Sequence, residues 1–141
     1  MTDENAGAAL RRLEPADLPA ALAIQARTYP AFLLENEAAF ASRLAAAAPY
    51  CLAAERGGVL IGYLLAHGWL SQSPPALDAR LAPDAPSEVL FLHDLALSPA
   101  ARGFGVGGRL VARAMEMAAR DGLRMAELIA VEGAAPYWET L

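Results

Sequence analysis

The residues with the clearest chemical meaning are Arg102, Gly105 and Gly107, spaced R-x-x-G-x-G inside "LALSPAARGFGVGGRLV". Gly103 and Gly108 crowd the same turn, with Phe104 and Val106 between. An amphipathic run follows over residues 107–121, with Leu110, Ala114, Met117 and Ala118 forming its apolar face. A helix opening there offers unpaired N–H groups and the positive end of its dipole, and both attract phosphate. Glycines let a backbone approach such an anion closely and take up positive φ. Arg102 adds a fixed cation. The stretch suits a pyrophosphate cradle, and the alternative is a glycine turn serving tight strand–helix packing. Gly103, Gly105 and Gly108 also spell G-x-G-x-x-G, the dinucleotide fingerprint. That fingerprint follows its strand directly, whereas "SPAAR" intervenes here. Glu127 lies near the acidic spacing, but one further strand does not complete a dinucleotide domain.

The elements that must position this loop are legible from periodicity. Residues 8–13 read as a strand, and "EPADLPAALAIQARTY" reads as a helix. Pro15 suits its first turn, and Leu18, Leu22 and Ala26 share a face. Tyr29-Pro30 breaks it. A second helix is expected over 35–47, with Phe40 and Leu44 on one stripe. "YCLAAE", "RGG" and "VLIGYLLAH" read as a hairpin. Residues 71–87 hold many of the prolines and form a long loop. Val89–Leu97 is apolar enough for a central strand. Gly122 suits the end of the 107–121 helix. "MAELIAV" is a strand, and a short helix begins near Ala135. The order β-α-α-β-β-β-α-β-α predicts an α/β (α+β layered) fold, a mixed central sheet flanked by helices. The 89–131 portion is a strand–helix–strand unit with parallel strands.

Bulk properties narrow the function. A chain of 141 residues with 56% hydrophobic and 19% charged residues suits one domain, 1–141, with a real core. A formal charge of −5 argues against nucleic acid, which needs clustered Lys and Arg. One cysteine, Cys51, and two histidines argue against an internal disulfide or a structural metal. Cys51 reads as a strand-core residue. No apolar run is long enough to span a bilayer, and the acidic start does not resemble a signal peptide. A soluble cytoplasmic protein without membrane association is the expectation.

The segment "LALSPAARGFGVGGRLV" resembles the acetyl-CoA-binding stretch of the GNAT N-acetyltransferases, whose signature is [R/Q]-x-x-G-x-[G/A] after a strand. Arg102, Gly105 and Gly107 fill its fixed places. "APYWETL" is similar to that family's last helix. The resemblance is strong over residues 88–141 and topological before them. It implies a GNAT fold and an acetyl-CoA-dependent N-acetyltransferase. The acceptor would be an amine of a small molecule or peptide, attacked directly in a ternary complex. Carried over, Leu95, Ala96 and Leu97 would pair with the pantetheine arm. Arg102, Gly103, Phe104, Gly105, Val106, Gly107 and Gly108 would hold the pyrophosphate.

The resemblance also implies roles for the catalytic groups. His93 stands four residues before Leu97, where the family often carries an acidic residue facing the acetyl group. An imidazole exchanges protons near neutral pH, so His93 is the candidate base; the alternative is a buried strand histidine. Asp94 is expected on the opposite face by strand alternation, in a structural role. The family often protonates the departing thiolate with a Tyr. Trp138 stands at that place and Tyr137 one before it, so Tyr137 is the candidate acid. Gly133 and Ala134 stand where the family carries an Asn. Tyr29, Phe32, Leu33, Trp69 and Leu70 offer an apolar acceptor wall or a dimer interface. His67 is a rival base or an acceptor contact. Family members usually continue with two more strands beyond this chain's last helix. An open edge at "MAELIAV" then predicts self-association, a homodimer being expected. The alternative function is a non-catalytic acyl-CoA-binding or interaction module.

Overall fold

The structure is a computed structural model and describes residues 8–45, 50–70, 88–101 and 105–128. Five strands form one sheet in the order β1-β2-β3-β4-β5: β1 (Ala9–Arg12), β2 (Leu52–Arg56), β3 (Val59–Trp69), β4 (Val89–Leu97) and β5 (Ala126–Glu127). The first four pair antiparallel, and β5 joins β4 in parallel. Helices α1 (Leu18–Thr28) and α2 (Glu37–Leu44) cover one face, and α3 (Val106–Arg120) covers the other. Among the described residues no helix is long and apolar enough to cross a membrane.

Local chemistry accounts for the boundaries. Pro15–Asp17 form a single 3-10 turn, and the Glu14 N–H donates to the Asp17 carboxylate at 2.8 Å before α1 begins. Tyr29 leaves the helix in extended conformation ahead of Pro30, as the sequence predicts. Helix α2 begins two residues later than expected, after a separate 3-10 turn at Ala31–Leu33, and residues 46–47 of the expected helix lie outside the described residues. Asn36 then caps α2, its Oδ1 accepting from the Ala39 N–H at 2.8 Å. The β2–β3 hairpin turns at Gly57 and Gly58, with φ of +59° and +82°, a pair that favours glycine at both positions.

The core lies in two layers. On the α3 side, Leu52, Leu64, Leu90, Leu92 and Leu95 pack against Val106, Leu110, Ala114 and Ala118. That apolar face of α3 agrees with the periodicity, Met117 being half-buried at its margin. On the other side, Leu18, Ala21, Ile24 and Phe40 pack on Cys51, Ala53, Tyr63 and Leu65. The buried face of α1 therefore differs from the expected Leu18–Leu22–Ala26 stripe. Leu22 is half-buried and Ala26 exposed, because the helix rests on the sheet through Leu18, Ala21, Ile24 and Gln25. Strand β5 is described over two residues, against seven expected; residues 129–131 and the helix expected near Ala135 lie outside the described residues.

Candidate active site

Strand β4 carries the irregularity that builds the site. Leu65 pairs with Asp94, but the next residue, Ala66, pairs with Leu92. His93 is therefore the extra residue of a β-bulge. Two backbone bonds record the consequence. The Leu90 N–H donates to Met125 O on the β5 side at 2.9 Å, and the Ser98 N–H donates to Ile61 O of β3 at 2.8 Å. In a regular strand, residues an even number apart point their backbone groups to the same side. The extra residue inverts that parity, so Leu95 and Leu97 turn their N–H and C=O groups away from β3. Among the described residues the β4–β5 ladder holds two pairs, Leu90–Ala126 and Phe91–Glu127. Leu95 and Leu97 thus face the side of β4 beyond that ladder.

The bulge also corrects an expectation about side chains. Alternation places His93 and Asp94 on opposite faces; the extra residue puts both on the face covered by α1 and α2. His93 Nε2 lies 2.6 Å from Glu35 Oε1, and Asp94 Oδ2 accepts from the Tyr63 hydroxyl at 2.7 Å. Asp94 thus bonds a side chain of β3. Burial raises its carboxyl above the ordinary range, and the hydroxyls of Tyr63 and Tyr29 oppose that rise. Burial, with Asp94 beside it, pushes the Tyr63 phenol well up.

Glu35 is held from three directions. Gln25 brackets its backbone, Nε2 donating to Glu35 O at 3.1 Å and Oε1 accepting from the Glu35 N–H at 2.7 Å. Arg43 reaches Glu35 Oε2 at 3.3 Å, and both side chains are buried. His93 takes the other carboxylate oxygen. The sequence reading missed Gln25, Glu35 and Arg43. A signal existed: Arg43 falls three residues after Phe40, on the buried stripe of α2, and a charge there demands a buried partner.

The other expected site residues fall as follows. The Tyr29 hydroxyl donates to Leu95 O at 2.8 Å. His67 lies inside β3, two residues before its end, with no exposed surface. Its ring lies 5.5 Å from that of Trp69, 5.7 Å from Phe91 and 6.1 Å from His93. Burial lowers its pKa to about 4. Trp69 and Leu33 are half-buried, and Phe32 is 77% exposed. Leu95 and Ala96 are buried and Leu97 half-buried. Gly105 opens α3 with φ of +67°, a left-handed conformation that favours glycine. Val106 and Gly107 are buried and Gly108 half-buried. Tyr29, His67, Trp69 and His93 therefore gather around one face of β3 and β4, while the α3 start belongs to the opposite layer. Arg102, Gly103, Phe104, Tyr137 and Trp138 lie outside the described residues. Cys51 is buried, and burial raises its thiol to about 12, so it is no nucleophile.

This five-stranded mixed sheet flanked by helices matches the acyl-CoA N-acyltransferase fold. Residues 16–140 match the model of the acetyltransferase (GNAT) family, and the chain belongs to that family. No curated protein sequence matches it. Among solved structures, a GphF GNAT-like decarboxylase in complex with isobutyryl-CoA is 22% identical with a TM-score of 0.73, over 94% of this chain and 70% of that chain. The ribosomal-protein-S18-alanine N-acetyltransferase from Escherichia coli is 18% identical, with a TM-score of 0.70 over 94% and 75% of the two chains. Arabidopsis thaliana Naa50, in complex with the bisubstrate analogue CoA-Ac-MVNAL, is 14% identical, with a TM-score of 0.66 over 95% and 81%. At these identities the likeness is one of fold.

Proposed function

We propose that this protein transfers an acetyl group from acetyl-CoA to an amine of a small molecule or peptide, by direct attack in a ternary complex. The observation that carries this reading is the bulge at His93. One distortion turns the Leu95 and Leu97 backbone outward and brings an imidazole to the same segment.

The residues fit the coenzyme. Gly105 opens α3 in the left-handed region, so the first-turn N–H groups of α3 suit a pyrophosphate, and Arg102 and Gly103, which precede it in the sequence, are the proposed further contacts. A backbone N–H of Leu95 or Leu97 suits the pantetheine arm and the thioester carbonyl, a preorganised donor where negative charge develops. An amine with a pKa near 10 is protonated at pH 7, and removing that proton costs about 4 kcal/mol. His93 accepts it, directly or through a water. The amine nitrogen bonds to the thioester carbon, and the C–S bond breaks to leave coenzyme A thiolate. Tyr137 is the proposed donor of the proton that thiolate takes up. Tyr29, Phe32, Leu33, His67 and Trp69 are the proposed acceptor wall. Its few charges suit a neutral small amine or a peptide end. The S18-alanine N-acetyltransferase and the Naa50 peptide analogue support the peptide arm of this reading. Self-association and a cytoplasmic location remain part of the proposal. A strictly monomeric species in sedimentation at high concentration would count against the former.

A binding-only role is favoured by one feature, Trp138 at the place of the family's acid. Calorimetric titration with acetyl-CoA, combined with thiol release over an amine panel, separates the two. Micromolar binding abolished by Arg102→Glu, with amine-dependent thiol release lost in His93→Ala, supports the enzyme. Binding without release from any amine supports the module. No binding sinks both.

A further inference from the structure

We infer that Glu35 is a positioning residue that fixes His93 as its Nε2–H tautomer, leaving Nδ1 as the proton-accepting atom. The inference rests on the acyl-transfer reading for its consequence, but the tautomer itself does not.

The argument starts from which atoms can donate. An ionised carboxylate is acceptor-only, and a guanidinium is donor-only. Arg43 Nη2 faces Glu35 Oε2 at 3.3 Å inside the protein, with both side chains excluded from solvent, so the carboxylate is held ionised. The other oxygen, Oε1, lies 2.6 Å from His93 Nε2. With an acceptor-only partner at that distance, the hydrogen must sit on Nε2. The lone pair of the neutral ring is then on Nδ1, which makes no hydrogen bond among the described residues. The carboxylate cannot swing away. Gln25 grips the Glu35 backbone at both its N–H and its C=O. Arg43 is anchored in turn through Nη1 to Ala39 O at 3.0 Å.

Among the described residues around His93, the other polar side chains are committed elsewhere. Asp94, next in β4, is occupied by the Tyr63 hydroxyl. Tyr29, at the end of α1, donates to Leu95 O. His67, on β3, presents its Nδ1 at 3.0 Å from Gly68 O. A carbonyl can only accept, so His67 must carry its hydrogen on Nδ1. The two histidines of the chain are therefore locked in opposite tautomers by two different acceptor-only oxygens. When His93 takes up a proton at Nδ1, the imidazolium that forms has Glu35 already in contact. The carboxylate serves both states of the ring without moving.

A substitution of equal size inverts the arrangement. In Glu35→Gln the donor-only Arg43 claims the amide oxygen, so the amide NH2 turns to His93. Nε2 must then accept, and the hydrogen moves to Nδ1. The base atom is silenced although nothing has been removed.

The test is long-range 1H–15N NMR of the full chain labelled at histidine, at alkaline pH, with His93→Gln to assign the signals. The wild type is expected to show one Nδ1–H ring, His67, and one Nε2–H ring, His93. Two Nδ1–H rings would overturn the inference whatever the activity, and this arm needs no variant at position 35. Glu35→Gln is expected to convert His93 to Nδ1–H. It should also lower kcat by about a hundredfold while acetyl-CoA affinity and acceptor KM stay within about twofold. Conversion of the tautomer with unchanged kcat would overturn the positioning role. A wild type that turns over no amine would refute the acyl-transfer reading, which the tautomer measurement does not share.

Discussion

The Tyr29 hydroxyl donates to the Leu95 carbonyl at 2.8 Å, tying the end of α1 to the strand residue just beyond the bulge. Leu95 is also a residue whose backbone turns towards the proposed coenzyme side. The bond therefore couples the proposed acceptor wall to the proposed coenzyme strand. Tyr29→Phe removes one neutral hydrogen bond and little volume, so stability should fall by about 1 kcal/mol. Turnover should fall more than acetyl-CoA affinity, since Leu95 loses its anchor. Thermal denaturation and steady-state kinetics check both, and an unchanged kcat would detach Tyr29 from the site.

Arg43 and Glu35 form a buried ion pair. Removing one partner leaves an uncompensated charge in the interior. Arg43→Met is expected to destabilise the fold by roughly 3–5 kcal/mol. Arg43→Met with Glu35→Leu should recover much of that loss, because an apolar pair needs no desolvation of charge. Urea denaturation of both variants decides it; equal stability of the two would show that the charge left on Glu35 is tolerated.

His67 has a folded-state pKa lowered by burial from 6.5 to about 4. Above pH 6.5 the ring is mostly neutral in folded and unfolded chains alike, so it adds little pH dependence to stability. Between about 6.5 and 4 the unfolded chain binds the proton and the folded one does not, so stability falls as pH falls. The loss should approach about 3 kcal/mol at the acid end. Denaturant unfolding of wild type and His67→Gln across that range isolates the contribution. Parallel curves would mean that the ring is not held neutral.

Phe32 is 77% exposed, so its ring packs little against the described residues. Phe32→Ser should leave stability within about 0.5 kcal/mol. Acceptor KM should rise about fivefold, the equivalent of roughly 1 kcal/mol of lost apolar contact, with acetyl-CoA KM unchanged. A KM that does not move would place the acceptor elsewhere.

Much of this protein is local chemistry that a sequence displays. The R-x-x-G-x-G spacing, the amphipathic stripe of α3, the Gly57-Gly58 turn and the apolar run of β4 each depend on neighbours a few residues apart. Periodicity reports them because side-chain direction follows backbone period. The family signature rests on the same short-range spacing, and the family follows from it.

The site's polar centre depended on contacts that no period encodes. His93 meets Glu35 across 58 residues, and Tyr63 meets Asp94 across 31. The bulge is a mismatch in count between two paired strands, so it exists only once Leu65 has chosen Asp94 and Ala66 has chosen Leu92. That choice overturned simple alternation at Asp94 and set the direction of the Leu95 backbone. Sequence alone thus determined the main strands and helices among the described residues and the family they serve, because those are properties of local spacing. Tertiary structure decided which carboxylate holds the histidine and which way the strand faces, because long-range pairing sets both.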